Sequence, residues 1–192
     1  MKSRDYRVCS ADGCVYIKTE SREDGSLKFV IFPFYVDDSM PISNDIEWMK
    51  QEKAAIAERF KLVDNGEISH VLGLMIKRDR GRKILTISQP MYVQEVLERF
   101  RMDQCNPVST PLEAGRQFTK TDMQNDVQCN KEVYQQAIGC LTYLSTNTRP
   151  VLSAAVSALS QHMSNPSSDH WSGVKRIFRY LKGTIHYGLS NR

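Results

Sequence analysis

The sequence contains no long apolar run and few cysteines. No stretch approaches the ~20 apolar residues that a membrane-spanning helix requires, so we expect no membrane partner. The five cysteines are odd in number and scattered, and residues 1–6 are polar rather than a signal peptide. Cys9 and Cys14 could supply half of a zinc knuckle, but no second pair completes it. These features predict an intracellular protein of the cytoplasm or nucleus that is not secreted.

Positive charge is concentrated near the C-terminus. The chain has a net charge of +4, yet the segment from Arg149 onward holds six basic residues and one acidic residue. Lys175, Arg179 and Lys182 follow one another at helical spacing, with Arg176 beside them. Such a stripe is compatible with a solvated surface that favours solubility, or with contacts to the phosphates of a nucleic acid. The second interpretation predicts these four residues as nucleic-acid-binding residues.

An apolar stretch ends in two adjacent acids. Residues 29–36 are aromatic and branched, which is typical of a buried strand, and Asp37 and Asp38 follow immediately. Adjacent carboxylates repel each other unless a cation lies between them, and Mg²⁺ prefers carboxylate oxygen. The alternative is that the two acids are ordinary turn residues. The apolar strand before them favours a metal site, and we expect Mg²⁺ there, with Mn²⁺ as a substitute.

The remaining pattern predicts an α+β fold. Strands are expected around 14–17, 27–36, 71–76 and 84–87, with a turn at Glu23–Ser26. A helix over 45–60 should bury Ile46, Met49, Ile56 and Phe60. Further helices are expected over 88–100, 131–145, 150–163 and 167–182. Their apolar residues at helical spacing are the predicted core: Val93, Val96, Leu97, Phe100, Val133, Ala137, Cys140, Leu141, Leu144, Leu152, Ala155, Val156, Leu159, Met163, Val174, Ile177, Phe178 and Leu181. Residues 102–130 are polar and aperiodic, which predicts a linker between domains.

The motif Tyr35-Val36-Asp37-Asp38 resembles the catalytic signature of reverse transcriptases. Further matches in the same order make nearly the whole chain similar to copia-type retrotransposon reverse transcriptases, although Pro33 and Pro41 stand where that family has aliphatic residues. The matching segments are Phe60–Asp64, Gly66-Glu67, Leu72-Gly73, Ser88-Gln89, Tyr92, Arg99-Phe100, Ser109-Thr110-Pro111, Gly139, Leu141, Tyr143-Leu144, Thr148-Arg149-Pro150, His170-Trp171 and Arg179–Thr184.

The resemblance implies a domain arrangement. Residues 1–101 would form the C-terminal half of the palm (β-hairpins with a packed helix) and the first thumb-proximal helix. Residues 102–130 would be the linker and 131–183 an all-helical thumb. Residues 184–192 would be a tail that leads towards a ribonuclease H domain absent from the chain.

The resemblance also implies a function. The family is an RNA-directed DNA polymerase that uses two-metal nucleotidyl transfer, so Asp37 and Asp38 would be catalytic metal ligands, and Tyr35 and Val36 would lie near the primer end. The partners would be an RNA or DNA primer–template and, in the intact enzyme, deoxynucleotides. The fingers and the first catalytic aspartate are not recognisable here. We therefore expect a polymerase fragment that is inactive without a missing N-terminal half. The competing hypothesis is a non-catalytic nucleic-acid-binding module retained from a degenerate element.

Overall fold

The computed structural model describes residues 5–119 and 129–191. It contains two antiparallel sheets and five α-helices, which confirms the predicted mixture of α and β structure. The chain divides into two compact units, Met1–Ile68 and Ser69–Arg192. In the described part of the chain, no helix is long and apolar enough to cross a membrane.

The first unit is a five-stranded sheet with one helix, α1 (Ile46–Ala57). The strands run in the order β1-β2-β3-β4, and β5 also pairs with β3 beyond the end of β4. Trp48 and Ile56 of α1 belong to one buried cluster with Val30 and Phe32 of β3. The five strands are β1 (Arg7–Val8), β2 (Val15–Ser21), β3 (Leu27–Tyr35), β4 (Asp38–Ser39) and β5 (Ile42–Ser43).

The buried face of α1 differs from the predicted one. Ile46 and Phe60 are 58% and 60% exposed, whereas Trp48, Glu52 and Ile56 are buried. The latter three follow one another at a spacing of four, so they share one face of the helix. Apolar periodicity missed this face because its central residue is an acid, and because the helix ends at Ala57, before Phe60.

The second unit combines a four-stranded sheet with helices α2–α5. The strands β6 (His70–Val71), β7 (Leu74–Asp79), β8 (Ile84–Ser88) and β9 (Gly188–Asn191) pair in that order. The helices are α2 (Pro90–Arg99), α3 (Lys131–Asn147), α4 (Ser153–Ser160, after a 3₁₀ turn at Pro150–Leu152) and α5 (Ser168–Gly183).

The predicted strand 71–76 is wrong as a single strand. Leu72 and Gly73 form a two-residue turn with positive φ values of 49° and 77°, and Val71 pairs directly with Leu74. Positive φ at both central residues is the geometry that suits a tight β-hairpin. The sequence pattern does not indicate this turn, because Leu72 is apolar and no polar residue interrupts the segment.

The helices of the second unit share one hydrophobic core. Most predicted core positions are buried, whereas Val133 and Met163 are partly exposed. Tyr134 was not predicted; it is fully buried, and its hydroxyl donates a hydrogen bond to the Leu159 carbonyl (2.8 Å). The predicted core residues that are buried are Val93, Val96, Leu97, Ala137, Cys140, Leu141, Leu144, Leu152, Ala155, Val156, Leu159, Val174, Ile177, Phe178 and Leu181.

The segment after α2 has no helix or strand between residues 102 and 119, in agreement with its aperiodic composition. Its apolar side chains nevertheless pack against the helical core, among them Met102, Val108, Leu112 and Phe118. We call residues 102–119 the covering segment. Residues 120–128 of the predicted linker lie outside the described residues.

Candidate functional site

The two adjacent acids lie at the tip of a β-hairpin. Strand β3 ends at Tyr35, Val36 and Asp37 form the turn, and Asp38 begins β4 opposite Tyr35. The structure therefore brings the four residues of the Tyr-Val-Asp-Asp motif together at one exposed tip.

Two prolines interrupt the strand pairing next to this tip. Phe34 pairs with Ser39, and Ile31 pairs with Ile42. Between these two ladders, Met40 lies opposite Pro33 and Pro41 lies opposite Phe32. A proline cannot donate a ladder hydrogen bond, which explains the interruption. The Pro33 carbonyl still accepts hydrogen bonds from the Met40 amide (3.3 Å) and the Ser39 hydroxyl (3.0 Å). The hairpin therefore forms despite both prolines.

Val36 has a strained backbone. Its φ is +53°, and its side chain is 85% exposed. A left-handed conformation costs a residue with a Cβ roughly 1–2 kcal/mol, and β-branched residues adopt it rarely. A positive φ at this position is what a two-residue hairpin turn requires, as at Leu72, so the turn accounts for the strain.

The carboxylates of Asp37 and Asp38 are exposed to solvent. Within residues 5–119 and 129–191, no group of three or more His, Cys, Asp or Glu residues is arranged to hold a metal ion. Carboxylate oxygens suit Mg²⁺ in kind, but two residues are few ligands for an ion that prefers six. The pair is thus a partial donor set for a divalent cation.

A buried polar cluster supports the sheet that carries the hairpin. Glu52 of α1 accepts hydrogen bonds from the Tyr6 hydroxyl (3.0 Å) and the Lys18 ammonium (2.7 Å). The Lys18 Nζ lies 5.6 Å from the centre of the Trp48 ring, at cation–π distance. We call Tyr6, Lys18 and Glu52 the polar cluster. Sequence reasoning missed it, because the three residues are far apart in the chain and no spacing pattern connects them.

The basic residues of the predicted stripe lie on α5, and the covering segment engages two of them. Arg176 donates hydrogen bonds to the Glu113 carboxylate (2.8 Å) and the Thr110 hydroxyl (3.1 Å). Arg179 donates from Nε to the Asn106 carbonyl (2.7 Å). Lys175 is exposed and Lys182 is half-buried. The stripe therefore exists, but only part of its charge faces solvent.

Arg149 is a buried cation near the end of α5. It is 2% exposed, and its guanidinium donates hydrogen bonds to the hydroxyl and carbonyl of Thr184 and to the Ile185 carbonyl. Burial lowers the pKa of Arg149, because desolvation disfavours the charged form. These hydrogen bonds satisfy carbonyl groups at the C-terminus of α5. Thr184 and Ile185 are also the first residues of the segment that connects α5 to β9.

Comparisons with known proteins identify a family. Residues 4–114 match the family model for reverse transcriptase (RNA-dependent DNA polymerase). The chain is 36% identical over 188 residues to the retrovirus-related Pol polyprotein from transposon TNT 1-94 of Nicotiana tabacum, covering 96% of this chain and 14% of that protein. The Pol polyproteins from transposons RE2 and RE1 of Arabidopsis thaliana are 35% and 33% identical, each over 81% of this chain and 10% of the relative.

The chain thus spans about one seventh or less of the length of these relatives. No solved structure matches it.

Proposed function

The chain belongs to the reverse transcriptase family of copia-type retrotransposons, and we propose that it supplies the catalytic hairpin and thumb of such an enzyme. In this proposal residues 1–101 belong to the palm and residues 131–183 to the thumb. These functional regions do not coincide with the two compact units, because β6–β8 and α2 belong to the same unit as the late helices.

The observation that carries the proposal is the exposed hairpin tip with Asp37 and Asp38. The tip presents two carboxylates to solvent, with Tyr35 and Val36 beside them. Attack of a primer 3′-hydroxyl on a nucleotide phosphate requires charge stabilisation at the reacting oxygens. When bound, Mg²⁺ would neutralise charge on those phosphate oxygens, and Asp37 and Asp38 would be two of its protein ligands.

Rigid support of the tip is the second contribution of the first unit. Val30 and Phe32 of β3 are buried against α1, and the polar cluster links β2 to the same helix. A metal-binding side chain that is held in place before the reaction needs little rearrangement during it, which lowers the free-energy barrier. The hydrophobic core behind β3 therefore supports the position of the two acids.

The proposed partner of the second unit is a primer–template duplex. Lys175 and Lys182 of α5 provide ammonium groups for phosphate contacts, and Arg176 and Arg179 lie on the same helix. Contacts of this kind position a protein on nucleic acid without reading its sequence. The competing hypothesis, a non-catalytic binding module, receives no support from the family match.

Primer extension tests the proposal in two settings. The isolated 192-residue chain should show no extension, because the two carboxylates are only a partial donor set. A chimera in which this chain replaces the matching 188 residues of the tobacco transposon TNT 1-94 Pol polyprotein should extend a primer on an RNA template. In the chimera, Asp37→Asn should lower the rate by about 10²–10³, the range seen when a group that stabilises transition-state charge is lost.

Asp24→Asn is the matched control for this substitution. Asp24 is also an exposed turn acid of the first unit, in the loop between β2 and β3. The control should leave the extension rate within about twofold. A folded chimera without activity, or one that tolerates Asp37→Asn, would contradict the proposal.

A further inference from the structure

A cleft lies between α5 and the covering segment. Its volume is about 420 Å³, within the range of roughly 300–1,000 Å³ that is usual for small-molecule sites. One side of the cleft is formed by residues of α5, and the other by residues of the covering segment.

Part of the cleft wall is apolar. Met102, Leu112 and Phe118 line it from the covering segment. Phe118 lies directly against α5 at Gly173, where a Cβ atom would be only 2.6 Å from the ring. A glycine is therefore needed at this position of the helix for the aromatic ring to occupy the wall.

The rest of the lining is mainly cationic. Arg116, Lys175, Arg176 and Arg179 line the cleft, and Glu113 is the acid among the lining residues. Arg116 is also paired with the Asp169 carboxylate, so Lys175 is the exposed cation of the lining that has no ion-pair partner among the described residues. The guanidinium carbon of Arg116 lies 5.6 Å from the centre of the Phe118 ring, so charge and aromatic surface adjoin. The cleft therefore suits an anion that carries a flat apolar part.

Glu113 occupies the place that an anionic ligand would take. Its carboxylate accepts a hydrogen bond from Arg176 Nη1 (2.8 Å). The Nε of Arg176 is buried, and it has no hydrogen-bond partner among the described residues. Guanidinium groups bind carboxylates and phosphates in the same planar geometry, so a phosphate can replace the carboxylate.

We propose that this cleft binds one unpaired nucleotide of a nucleic-acid strand. The phosphate would contact Lys175 and Arg176, and the base would lie against the apolar wall. Cationic grooves combined with aromatic side chains are the usual means of binding single strands. A paired base is stacked inside its duplex and cannot enter. The inference rests on the proposed function, because it assigns a specific ligand to the helix proposed to contact nucleic acid.

Fluorescence anisotropy with the full 192-residue chain and a labelled 12-residue oligothymidine tests the proposal. Lys175→Gln should weaken binding about five- to tenfold. Glu113→Gln should tighten it at least about twofold, because the competing carboxylate is removed from Arg176. Lys131→Gln, an equal charge change at an exposed position on α3, is the matched control and should change affinity less than twofold. Thermal melting of each variant checks the fold.

Competition experiments identify the part of the ligand that is recognised. Thymidine monophosphate should displace the oligonucleotide at a concentration at least about tenfold lower than inorganic phosphate. Equal potency of the two would overturn the proposal, since the base would then contribute nothing. Weaker or unchanged binding in folded Glu113→Gln would also overturn it.

The duplex form of the oligonucleotide separates this inference from the proposed function. If duplex and single strand bind equally and Lys175→Gln is no worse than Lys131→Gln, the cleft proposal fails while general nucleic-acid binding stands. If neither nucleic acid binds, the proposed role of α5 fails as well. The role of the catalytic hairpin is tested independently by the chimera.

Discussion

Removal of the Glu52 carboxylate should strongly destabilise the unit that carries the hairpin with Asp37 and Asp38. Glu52 is 4% exposed and is bonded to both Tyr6 and Lys18. Glu52→Ala would leave the Lys18 ammonium, whose side chain is only 15% exposed, without its nearest anion. Loss of one partner from a buried ion pair typically costs about 3–5 kcal/mol.

The lower end of that range applies here. In the variant, the Lys18 ammonium retains a weaker ion pair with Glu20, at 3.9 Å, and its cation–π contact with the Trp48 ring. We therefore expect a loss of about 3 kcal/mol. A unit of this size has a total stability of roughly 3–10 kcal/mol, so the loss would be a large part of the total.

Urea unfolding followed by tryptophan fluorescence measures this loss. The chain has two tryptophans, Trp48 and Trp171, one in each compact unit. A Trp171→Phe background therefore makes the signal specific for the first unit. The midpoint of the Trp48 transition should fall in Glu52→Ala, with little change in its slope.

Two control variants complete the experiment. Glu47→Ala removes an exposed acid of the same helix, whose salt bridge with Lys50 is on the surface, and should cost less than about 1 kcal/mol. The triple variant Tyr6→Phe, Lys18→Met and Glu52→Met should recover most of the stability, because replacing a buried ion pair and its hydrogen-bond partner together by apolar groups is often neutral. A cost below about 1 kcal/mol for Glu52→Ala would refute the reasoning.

Three further predictions follow from single residues. Mn²⁺ relaxation should show millimolar binding that Asp38→Asn removes, about −4 kcal/mol, whereas micromolar affinity would require a third ligand. Gly188→Ala should cost about 1–3 kcal/mol and speed amide exchange in β8, because its Cβ would lie 2.3 Å from the Ile87 carbonyl; unchanged exchange would contradict this. Asp45 caps the N-terminus of α1, and the hydrogen bond that its carboxylate accepts from the Trp48 backbone amide lowers its pKa below the ordinary 3.8. The stability that this hydrogen bond contributes is therefore present above pH 3.8 and is lost as the pH falls through the pKa of Asp45 in the folded protein. An NMR titration of the Asp45 carboxyl with a midpoint at or above pH 3.8 would contradict this prediction.

The strand that ends in Asp37 and Asp38 was predictable from the order of the residues alone. An apolar strand followed at once by two acids predicts a strand that ends at an exposed polar tip, and the structure has this arrangement at Tyr35–Asp38. The late helices were predictable as well, because their apolar residues recur at the helical period over ten or more positions.

Other features were decided by contacts between distant residues. The buried face of α1 depends on a carboxylate that pairs with Lys18 of another strand, and hydrophobic periodicity cannot detect a buried acid. The hairpin at Leu72-Gly73 depends on backbone conformation rather than on polarity. Strand β9 pairs with β8 across about a hundred residues, so no local pattern indicates it.

The sequence by itself determined the family, the position of the acidic pair and the concentration of positive charge on the last helix, since each depends on the order of the residues alone. Only the tertiary structure decided which of those charges remain accessible. The covering segment folds back onto α5 through Met102, Leu112 and Phe118 and engages Arg176 and Arg179. That packing buries apolar side chains far apart in the chain, and it creates the cleft as a consequence.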